Sequence, residues 1–516
     1  MDEAEPEEHL PDELLDLIPP GQLIVASSRG PYRHSKEPGG GRILRRSGGG
    51  LVTAMLCVAE QAGAHWICAP STDEDRSVAG KGLVALPPER HLFDMEIVDI
   101  PQSTYDLAYN TISNPLLWFV QHYLWDLARE PSLDDSHKRA WELGYVPFNE
   151  AFAEAIAARC EGLDRPVVML QDYHLYLVGE MIRARDCDAS LVHFTHIPWP
   201  QPDYLRMLPS YVRTPILSGL LAADVVGFHD DRYVQNFLWC CRQLTDYEVD
   251  WEDRRVRTGA HWAAVRSYPI SIQQQTTQRE ARGPDAETRL RELRAIVGNR
   301  KAVVRVDRVD PAKNVLRGFE AYRQLLLSHP ELRDKVCFLA MLCPSREGLP
   351  QYERYRREVE ELAADINAKL GSESWRPIHL SIKDDHAESL AALRIYDVLL
   401  VNPVFDGMNL VAKEGPCVNE HDGVLILSEN AGAYDEVNDA CLGVNPFDLH
   451  ETVEALSEAL AMSAKARRDR ATRLREIVLK NDSSKWLYHQ LDDLAKATRS
   501  RSSRKRKMMS SGPLTR

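Results

Sequence analysis

The chain has 516 residues, 44% of them hydrophobic and 27% charged, and its 77 acidic and 63 basic side chains give a net charge of −14. This length predicts two or three domains, the apolar fraction excludes a disordered or fibrous protein, and the negative charge argues against a nucleic-acid binder. No apolar run approaches the ~18 residues that span a bilayer, and the acidic amino terminus is unlike a signal peptide. The cysteines form no CxxC pair, which indicates reduced thiols. We therefore expect a soluble cytoplasmic protein without membrane contact.

The two ends of the chain differ in charge from its middle. Residues 1–21 are rich in acidic side chains and proline, which predicts a disordered arm. Residues 499–516 contain seven basic side chains, no acidic one and many serines, which predicts a basic disordered tail. The sequence leaves the roles of both ends open.

Between these ends, short β-branched runs alternate with helix-length amphipathic stretches, a pattern typical of parallel α/β sheets covered by helices on both faces. The polar segment 272–278 divides the strands into two series and is the predicted hinge. The sequence therefore predicts two doubly wound domains, residues 22–272 and 279–483, with a cleft between them. The predicted buried strands are 22–27, 65–69, 167–170, 191–195 and 224–227 in the first series, and 302–306, 336–341, 378–382, 398–401 and 424–427 in the second.

A glycine-rich segment, Ser47 to Thr53, begins a predicted helix after a basic loop. Glycines such as Gly49 and Gly50 let a backbone approach a ligand closely, and the free N–H groups at a helix start favour an anion. A glycine run by itself is weak evidence, because a flexible loop explains such a run more often than a ligand site does. The spacing of these glycines matches neither the dinucleotide-binding fingerprint nor the phosphate-binding loop of nucleoside triphosphatases.

Polar side chains end two neighbouring strands of the first domain. Gln171 and Asp172 follow one strand, and His196 ends the next, because Pro198 and Pro200 cannot continue a ladder of hydrogen bonds. Two polar groups at neighbouring strand ends indicate a site, although a lone histidine is also compatible with a satisfied core position. The sequence shows no nucleophilic triad and no zinc-ligand spacing.

Two cations follow the first strand of the second domain. Arg308 and Lys313 come after its carboxyl end, where open α/β sheets bind ligands. An arginine fork and a lysine point charge suit a pyrophosphate. The alternative is a surface salt bridge with Asp307 or Asp310.

A second strand-to-helix loop of this domain runs from Asp406 to Glu414. Gly407 loosens the turn, and from Asn409 onward the backbone would present helix N–H groups to a ligand. Glu414, one helical turn later, could accept hydrogen bonds from a ribose diol. Taken alone, the segment is equally compatible with an ordinary loop.

Together these segments resemble the trehalose-6-phosphate synthase family of retaining glycosyltransferases, from about Leu23 to Leu494. The most specific elements are residues 196–200, the pair Arg308 and Lys313, and residues 406–414. The resemblance implies two facing Rossmann-like domains in the glycosyltransferase B arrangement. It also implies a C-terminal helix, residues 484–498, that crosses back to the first domain.

The resemblance also assigns roles to individual residues. It implies a catalytic set and binding sites for a nucleoside-diphosphate glucose donor and for a glucose 6-phosphate acceptor. The implied catalytic residues are His196, Arg308, Lys313 and Asp406; the donor-binding residues are Gly49, Gly50, Arg308, Lys313, Lys383, Asp406, Gly407, Met408, Asn409, Leu410, Val411 and Glu414; and the acceptor-binding residues are Arg29, Tyr109, Trp118, Asp172 and Arg346.

Some positions depart from the family pattern. Ser28 replaces a usual asparagine, Gln171 a usual histidine, and Asn314 the usual glycine after the lysine. Lys383 occupies the place of a uridine-contacting histidine. Asn314 and the segment 444–448 also occur in validoxylamine 7′-phosphate synthase, a relative that uses a GDP donor. The nucleotide of the donor, UDP, GDP or ADP, therefore stays open.

The reaction implied is transfer of glucose to glucose 6-phosphate, which gives trehalose 6-phosphate without a metal or other cofactor. One alternative is a pseudo-glycosyltransferase of the validoxylamine type, which joins an activated cyclitol to an aminocyclitol phosphate. Another is a catalytically silent sugar-phosphate sensor. The sequence lacks a phosphatase signature, so the product would keep its phosphate, and it leaves open whether the protein is a homo-oligomer.

Overall fold

The computed structural model describes residues 17–18, 21–37, 39–47, 50–88 and 90–510, with side chains throughout except at 50, 51, 53, 54, 57 and 500–510. Most of the arm predicted for residues 1–21 lies outside these residues, as do Gly49 and residues 511–516. The chain divides into two compact units. Unit 1 comprises Met1–Tyr268 and Ser483–Arg516, and unit 2 comprises Pro269–Asp482.

Among the described residues of unit 1, ten strands form one sheet in the order β10-β11-β12-β9-β8-β7-β1-β4-β6-β5, and β2 pairs with β3 in a separate hairpin. The central strands are parallel, whereas β5 and the β10–β11–β12 edge run antiparallel. The strands are β1 Leu23–Ser27, β2 Tyr32–Lys36, β3 Arg42–Arg46, β4 His65–Cys68, β5 Leu83–Leu86, β6 Phe93–Ile97, β7 Val167–Gln171, β8 Ser190–Phe194, β9 Val225–Phe228, β10 Glu248–Asp250, β11 Arg255–Thr258 and β12 His261–Ser267.

The five strands predicted for the first domain are all present as β1, β4, β7, β8 and β9. Every residue of β1 and β7 is buried, as expected for strands with helices on both faces. The α-helices of this unit before residue 268 are α1 Gly50–Ala62, α2 Asp73–Arg76, α3 Gln102–Asp106, α4 Trp118–Gln121, α5 Asp135–Ala140, α6 Val146–Cys160, α7 Val178–Arg183, α8 Pro202–Leu205, α9 Ser210–Leu221 and α10 Asp231–Leu244, with π-helical segments at Leu107–Leu117 and Trp141–Tyr145 and a 3₁₀ turn at Tyr173–Leu175.

Unit 2 contains a six-stranded sheet, in the described residues, whose order is β15-β14-β13-β16-β17-β18 and whose pairs are all parallel. The five strands predicted for the second domain are β13 to β17, and β18 was not predicted. Edge-to-face rings of Phe319, Tyr322 and Phe338 fill its core. The strands are β13 Lys301–Arg308, β14 Val336–Cys343, β15 Ile378–Ile382, β16 Val398–Val401, β17 Val424–Ser428 and β18 Leu442–Val444.

The predicted hinge, residues 272–278, is not where the chain passes between the units. The boundary lies at Tyr268–Pro269, and Gln274–Ala281 forms a helix of unit 2 whose first side chain, Gln274, donates a hydrogen bond to the Val478 carbonyl (3.2 Å). The helices of unit 2 are α11 Gln274–Ala281, α12 Pro284–Val297, α13 Val315–Ser328, α14 Pro350–Leu370, α15 His386–Ile395, α16 Val411–Val418, α17 Tyr434–Val437, α18 Leu449–Ala461 and α19 Ala464–Lys480, with 3₁₀ turns at Pro311–Lys313 and Pro330–Leu332.

The last helix, α20 Ser483–Ser510, returns the chain to unit 1, as the sequence predicted. Trp486, Leu487 and Leu491 are buried, and the Trp486 ring lies edge-on to Phe194 of β8 at 5.1 Å. The helix continues beyond residue 498, where the sequence placed the start of a disordered tail. No glycine or proline interrupts the chain before Gly512, so nothing local stops the helix. Among the described helices, none combines the length and the apolarity that a membrane span requires.

Candidate active site

The parallel strands of unit 2 place several predicted residues at one edge of its sheet. Arg308 is the last residue of β13, and Lys313 ends the 3₁₀ turn that follows. Strand β16 pairs with β13, so the loop after β16 lies beside this turn. As a result, the Lys313 ammonium donates a hydrogen bond to the carboxylate of Asp406. Lys313 therefore pairs with Asp406 and not with Asp307 or Asp310, the partners considered from sequence.

The loop that carries Asp406 is held in a defined shape. Asn409 adopts a positive φ of 69°, and its side-chain amide donates to Asp406 Oδ2 (3.0 Å), while its own Oδ1 is buried without a hydrogen-bond partner. The backbone of Asp406 donates to the Asn430 carbonyl (3.1 Å), and the Met408 carbonyl accepts from Ala433 (3.0 Å). Helix α16 starts at Val411, directly after Leu410. Gly407 to Val411 thus form the strand-to-helix turn that the sequence predicted.

A second charged cluster surrounds a wholly buried carboxylate, Asp310. Its Oδ2 atom accepts a hydrogen bond from Arg346 (2.6 Å) and lies 3.8 Å from the Arg308 guanidinium. Arg346 also donates to the Tyr352 hydroxyl (2.8 Å). The sequence indicated Asp310 only as a possible salt-bridge partner of Arg308 and Lys313. Its closer partner is Arg346, which follows the neighbouring strand β14.

The backbone of Lys313 is fixed from inside the unit by Arg305. This fully buried arginine donates to Asp307 Oδ2 (2.9 Å) and to the Lys313 carbonyl. Burial raises the pKa of Asp307, and the positive charges of Arg305 and Lys313 act against this shift. The sequence did not single out Arg305, because its position within an apolar strand carries no signal of a contact with a loop eight residues away.

Lys383 and Glu414 lie at other points of the same unit. Lys383 follows β15 and forms ion pairs with Glu388 (3.0 Å) and Asp385 (3.4 Å). Burial raises the pKa of the Glu414 carboxyl, while the charge of His386 lowers it. Glu414 is half-buried and lies near the charged side chains of His386 and Glu280.

In unit 1, His196 lies beside two groups that end the neighbouring strand. Because β7 and β8 are parallel and Gln171 pairs with Phe194, His196 Nε2 lies 2.9 Å from Gln171 Oε1, and its backbone N–H donates to Asp172 Oδ1 (3.1 Å). Burial, together with the nearby rings of His229 and His193, lowers the pKa of His196 well below its usual value. His196 is therefore a neutral imidazole at neutral pH.

An aromatic cluster surrounds the other predicted residues of unit 1. The Tyr109 phenol, close to Arg29 and hydrogen-bonded to it, raises the pKa of that guanidinium. Tyr109 stacks on the His174 ring at 5.8 Å, and Trp118 lies 5.8 Å from the ring of Tyr173. Residues 173 and 174 directly follow Asp172. Four of the five predicted acceptor residues therefore lie close together, namely Arg29, Tyr109, Trp118 and Asp172. The fifth, Arg346, belongs to unit 2. Gly50 begins α1, whereas Gly49 is outside the described residues.

Comparison with known proteins identifies the family of this chain. The model of glycosyltransferase family 20 matches residues 21–496. The chain belongs to glycosyltransferase family 20. Trehalose-6-phosphate synthase of Mycobacterium bovis is 33% identical to this family 20 chain over 495 residues, covering 92% of this chain and 95% of the relative. Validamine 7-phosphate valienyltransferase of Streptomyces hygroscopicus subsp. jinggangensis is 31% identical over 484 residues, covering 92% and 94%.

Two solved structures are also similar to this family 20 protein. A trehalose-6-phosphate protein from E. coli bound with UDP-2-fluoro glucose has a TM-score of 0.79 and 28% identity, covering 92% of this chain and 98% of that chain. A UDP-forming α,α-trehalose-phosphate synthase from Burkholderia xenovorans, in complex with glucose 6-phosphate, has a TM-score of 0.80 and 26% identity, covering 92% and 100%. These similarities confirm the predicted family and the glycosyltransferase B fold class, and they support a hexosyltransferase.

Proposed function

We propose that this protein transfers a glucosyl group from a nucleoside-diphosphate glucose to glucose 6-phosphate and releases trehalose 6-phosphate. The proposal rests chiefly on three basic side chains, Arg308, Lys313 and Arg346, at one edge of the unit 2 sheet. The half-buried Asp406 holds Lys313, and the buried Asp310 holds Arg346. Relatives that are named trehalose-6-phosphate synthase support the same reaction. UDP-glucose and GDP-glucose are both candidate donors.

The donor diphosphate would bind at Arg308 and Lys313. Negative charge develops on the leaving nucleotide during transfer, and cations already held in place stabilise it without reorganising. The contact from Arg305 to the Lys313 carbonyl supports such preorganisation. Asp406 would exchange part of its bond to Lys313 for hydroxyl groups of the donor sugar, and Glu414 would accept from the ribose.

The acceptor would bind among the aromatic residues of unit 1. Arg29 would pair with the phosphate, and the rings of Tyr109 and Trp118 would pack against the sugar. The neutral His196, oriented by Gln171, would hydrogen-bond a sugar hydroxyl. A neutral imidazole suits this role because it adds no positive charge next to an oxocarbenium-like centre.

A nucleotide-release assay tests the proposal. UDP-, GDP- and ADP-glucose are each combined with glucose 6-phosphate, glucose and fructose 6-phosphate, and the sugar product is identified by mass. We expect release with glucose 6-phosphate and little release with glucose, because Arg29 would then lack its anion. Binding of glucose 6-phosphate without release from any donor would instead support the silent sensor.

The second candidate is pseudo-glycosyl transfer to an aminocyclitol phosphate. The observation that favours it is Asn314, which has a positive φ of 60° and whose side chain donates to the carbonyls of Asn402 and Pro446, both at 2.9 Å. This asparagine and residues 444–448 are shared with the validoxylamine enzyme, and a valienyltransferase is among the relatives. Turnover with validamine 7-phosphate and a GDP-activated cyclitol, but not with glucose 6-phosphate, would support this candidate.

A further inference from the structure

Arg76 lies at the carboxyl edge of the unit 1 sheet, although the sequence did not single it out. It is the last residue of α2, which follows strand β4. Strand β4 pairs in parallel with β1, and Ser27 lies opposite Cys68 at the ends of the two strands. Arg29, predicted to bind the acceptor, comes two residues after Ser27. The two arginines therefore follow neighbouring strands at the same edge of the sheet.

A stack of flat side chains connects Arg76 to the predicted acceptor site. The Arg76 guanidinium lies over the Tyr105 ring, 4.8 Å from its centroid. The Tyr105 ring stacks on the Tyr109 ring, with 5.2 Å between the centroids and 13° between the planes. Burial and the neighbouring Tyr109 raise the pKa of Tyr105, and the positive charges of Arg29 and Arg76 both act against this shift. Both guanidinium groups are therefore close to the Tyr105 phenol.

In the described chain, Arg76 forms one ion pair, and it is a weak one. Its Nε atom lies 3.9 Å from an oxygen of Asp73, whose side chain is almost fully exposed to solvent. The buried Asp75, next to Arg76 in sequence, accepts instead from the His34 backbone N–H and the Ser71 hydroxyl, both at 2.8 Å. The face of an aromatic ring holds a guanidinium in place without neutralising it. Arg76 therefore presents a positive charge that no close carboxylate of the described residues cancels.

Two nitrogens of Arg76, Nε and Nη1, are buried and have no hydrogen-bond partner among the described residues. No other described arginine has two such atoms. Buried donors without an acceptor cost free energy, so each one needs an explanation. Since these nitrogens donate to no protein group of the described chain, the guanidinium can turn toward a ligand without breaking a hydrogen bond. The side chain is 24% exposed, so a ligand can reach it from solvent.

We propose that Arg76, together with Arg29, binds the phosphate group of the acceptor. The inference rests on the proposed function and adds a residue to its acceptor site. A phosphate monoester carries a charge of about −1.5 to −2 at neutral pH and has three oxygens that accept hydrogen bonds. One guanidinium binds two of these oxygens, and a second guanidinium matches the third oxygen and the second charge. The pair suits a sugar phosphate and a cyclitol phosphate equally, and it selects both over an uncharged sugar.

Isothermal titration calorimetry on the full-length protein tests the role of Arg76 without requiring turnover. The probes are glucose 6-phosphate, validamine 7-phosphate, glucose and inorganic phosphate. Arg76→Met and Arg76→Gln both remove the charge, so the test stands if one of them does not fold. In both variants we expect the Kd of every probe that carries phosphate to rise by about tenfold or more, the effect of losing a charged hydrogen-bonding group. The Kd of glucose should not change, and Arg76→Lys, which keeps the charge but lacks the fork, should recover part of the loss.

Steady-state kinetics give a second measurement of the same role. In Arg76→Met the KM of the acceptor should rise by the same factor as its Kd, whereas kcat and the KM of the donor should stay within about twofold, because the contact holds the phosphate before and during transfer alike. Arg159→Met is the matched control. Arg159 also has a buried Nε without a partner in the described chain, but it lies in the last turn of α6, ahead of the amino end of β7. This control should bind every probe as the wild type does.

Three results would overturn the proposal. The first is a wild type that binds none of the probes that carry phosphate. The second is a folded Arg76→Met or Arg76→Gln protein that binds these probes as tightly as the wild type. The third is an equal loss of affinity for glucose and glucose 6-phosphate, which would show that Arg76 only supports the fold. Binding of glucose 6-phosphate that depends on Arg76, without nucleotide release from any donor, would contradict the proposed transfer and support this inference.

Discussion

The carboxyl edges of the two sheets differ in the kind of group they carry. In unit 2, charges are paired: Lys313 with Asp406, and Arg346 with Asp310. In unit 1, the strand ends carry the neutral His196 beside Asp172, and Arg29 follows another strand of the same sheet. Rings such as Tyr109 and Trp118 surround these residues. Both edges follow parallel strands, so the same topology presents two kinds of chemistry.

This difference follows from what the strand-end loops can bury. A cation at the unit 2 edge is held in place by the carboxylate beside it, and a fixed charge is what a leaving diphosphate needs. Burial without a carboxylate partner keeps the imidazole of His196 neutral, and neutral groups and rings suit a sugar. Each substrate class would therefore match the electrostatics of one edge. The following predictions test this assignment.

The largest expected effect is on the charged edge. Lys313→Ala should lower kcat by at least ~10²-fold, because it removes a preorganised cation from the leaving diphosphate. The measurement is turnover at saturating donor, with the fold checked by circular dichroism. Arg308→Ala should behave in the same way.

Lys335→Ala is the matched control, since this exposed lysine precedes β14 at the opposite end of the sheet. Its turnover should equal that of the wild type. Near-normal turnover in both Lys313→Ala and Arg308→Ala would show that the donor diphosphate does not bind at this edge of unit 2.

The next effect is on the neutral interior of unit 1. Burial lowers the pKa of His193 to about 3, against an ordinary value of 6.5. Between these pH values the unfolded chain binds a proton that the folded chain excludes, so stability falls as the pH drops below about 6.5. From pH 7 to pH 5, His193 should account for about 2 kcal/mol of lost unfolding free energy.

Denaturant unfolding of wild type and His193→Gln at both pH values measures this contribution. The variant should lose less stability on acidification, whatever its stability at pH 7. His450→Gln, at an exposed position of α18, is the control and should keep the wild-type pH dependence. An equal acid loss in wild type and His193→Gln would show that His193 takes up its proton without unfolding.

The sequence predicted the buried strands well because their signal is local. Leu23 to Ser27 is a continuous run of buried residues, and such runs predict strands within one or two positions. The hairpin of β2 and β3 was missed because its strands, exposed or half-buried at most positions, show no apolar face. The hinge was misplaced for a similar reason, since a polar segment such as 274–278 can form a surface helix as well as a linker.

The site was predictable in its positions but not in its pairings. Lys313, Asp406 and His196 lie at the sheet edges because each follows the end of a strand. Their positions can therefore be predicted from the order of strands and loops. Which carboxylate meets which cation depends on loop shape between residues that are distant in sequence: Lys313 and Asp406 are 93 positions apart. The clamp between Asp310 and Arg346 depends on the conformation of two loops, which no local pattern encodes.

A smaller effect is expected on the choice of nucleotide. We expect Lys383 to occupy the place of a uridine-contacting histidine of the family, and its ammonium is held by Glu388 at 3.0 Å. Lys383→His should shift the ratio of kcat/KM values toward UDP-glucose over GDP-glucose by about tenfold, the equivalent of one hydrogen bond gained or lost. Lys369→His, on the exposed face of α14, is the control. A wild type that already prefers UDP-glucose by ~100-fold would contradict the role given to Lys383.

The smallest effect, no change at all, is expected on removing metal ions. In the proposed reaction the charge of the leaving diphosphate is neutralised by Arg308 and Lys313, and two fixed cations can take the electrostatic role that magnesium has in other phosphate chemistry. Turnover should therefore be the same with and without EDTA, measured by a nucleotide-release assay that does not itself need a metal. Added magnesium should not rescue Lys313→Ala, because among the described residues Asp406 belongs to no cluster of carboxylates or histidines that could hold an ion where the ammonium was. If EDTA abolishes activity and magnesium or manganese restores it, the paired charges of unit 2 are not sufficient to neutralise the leaving diphosphate. The contrast between the two edges would then depend on a bound ion and not on the side chains.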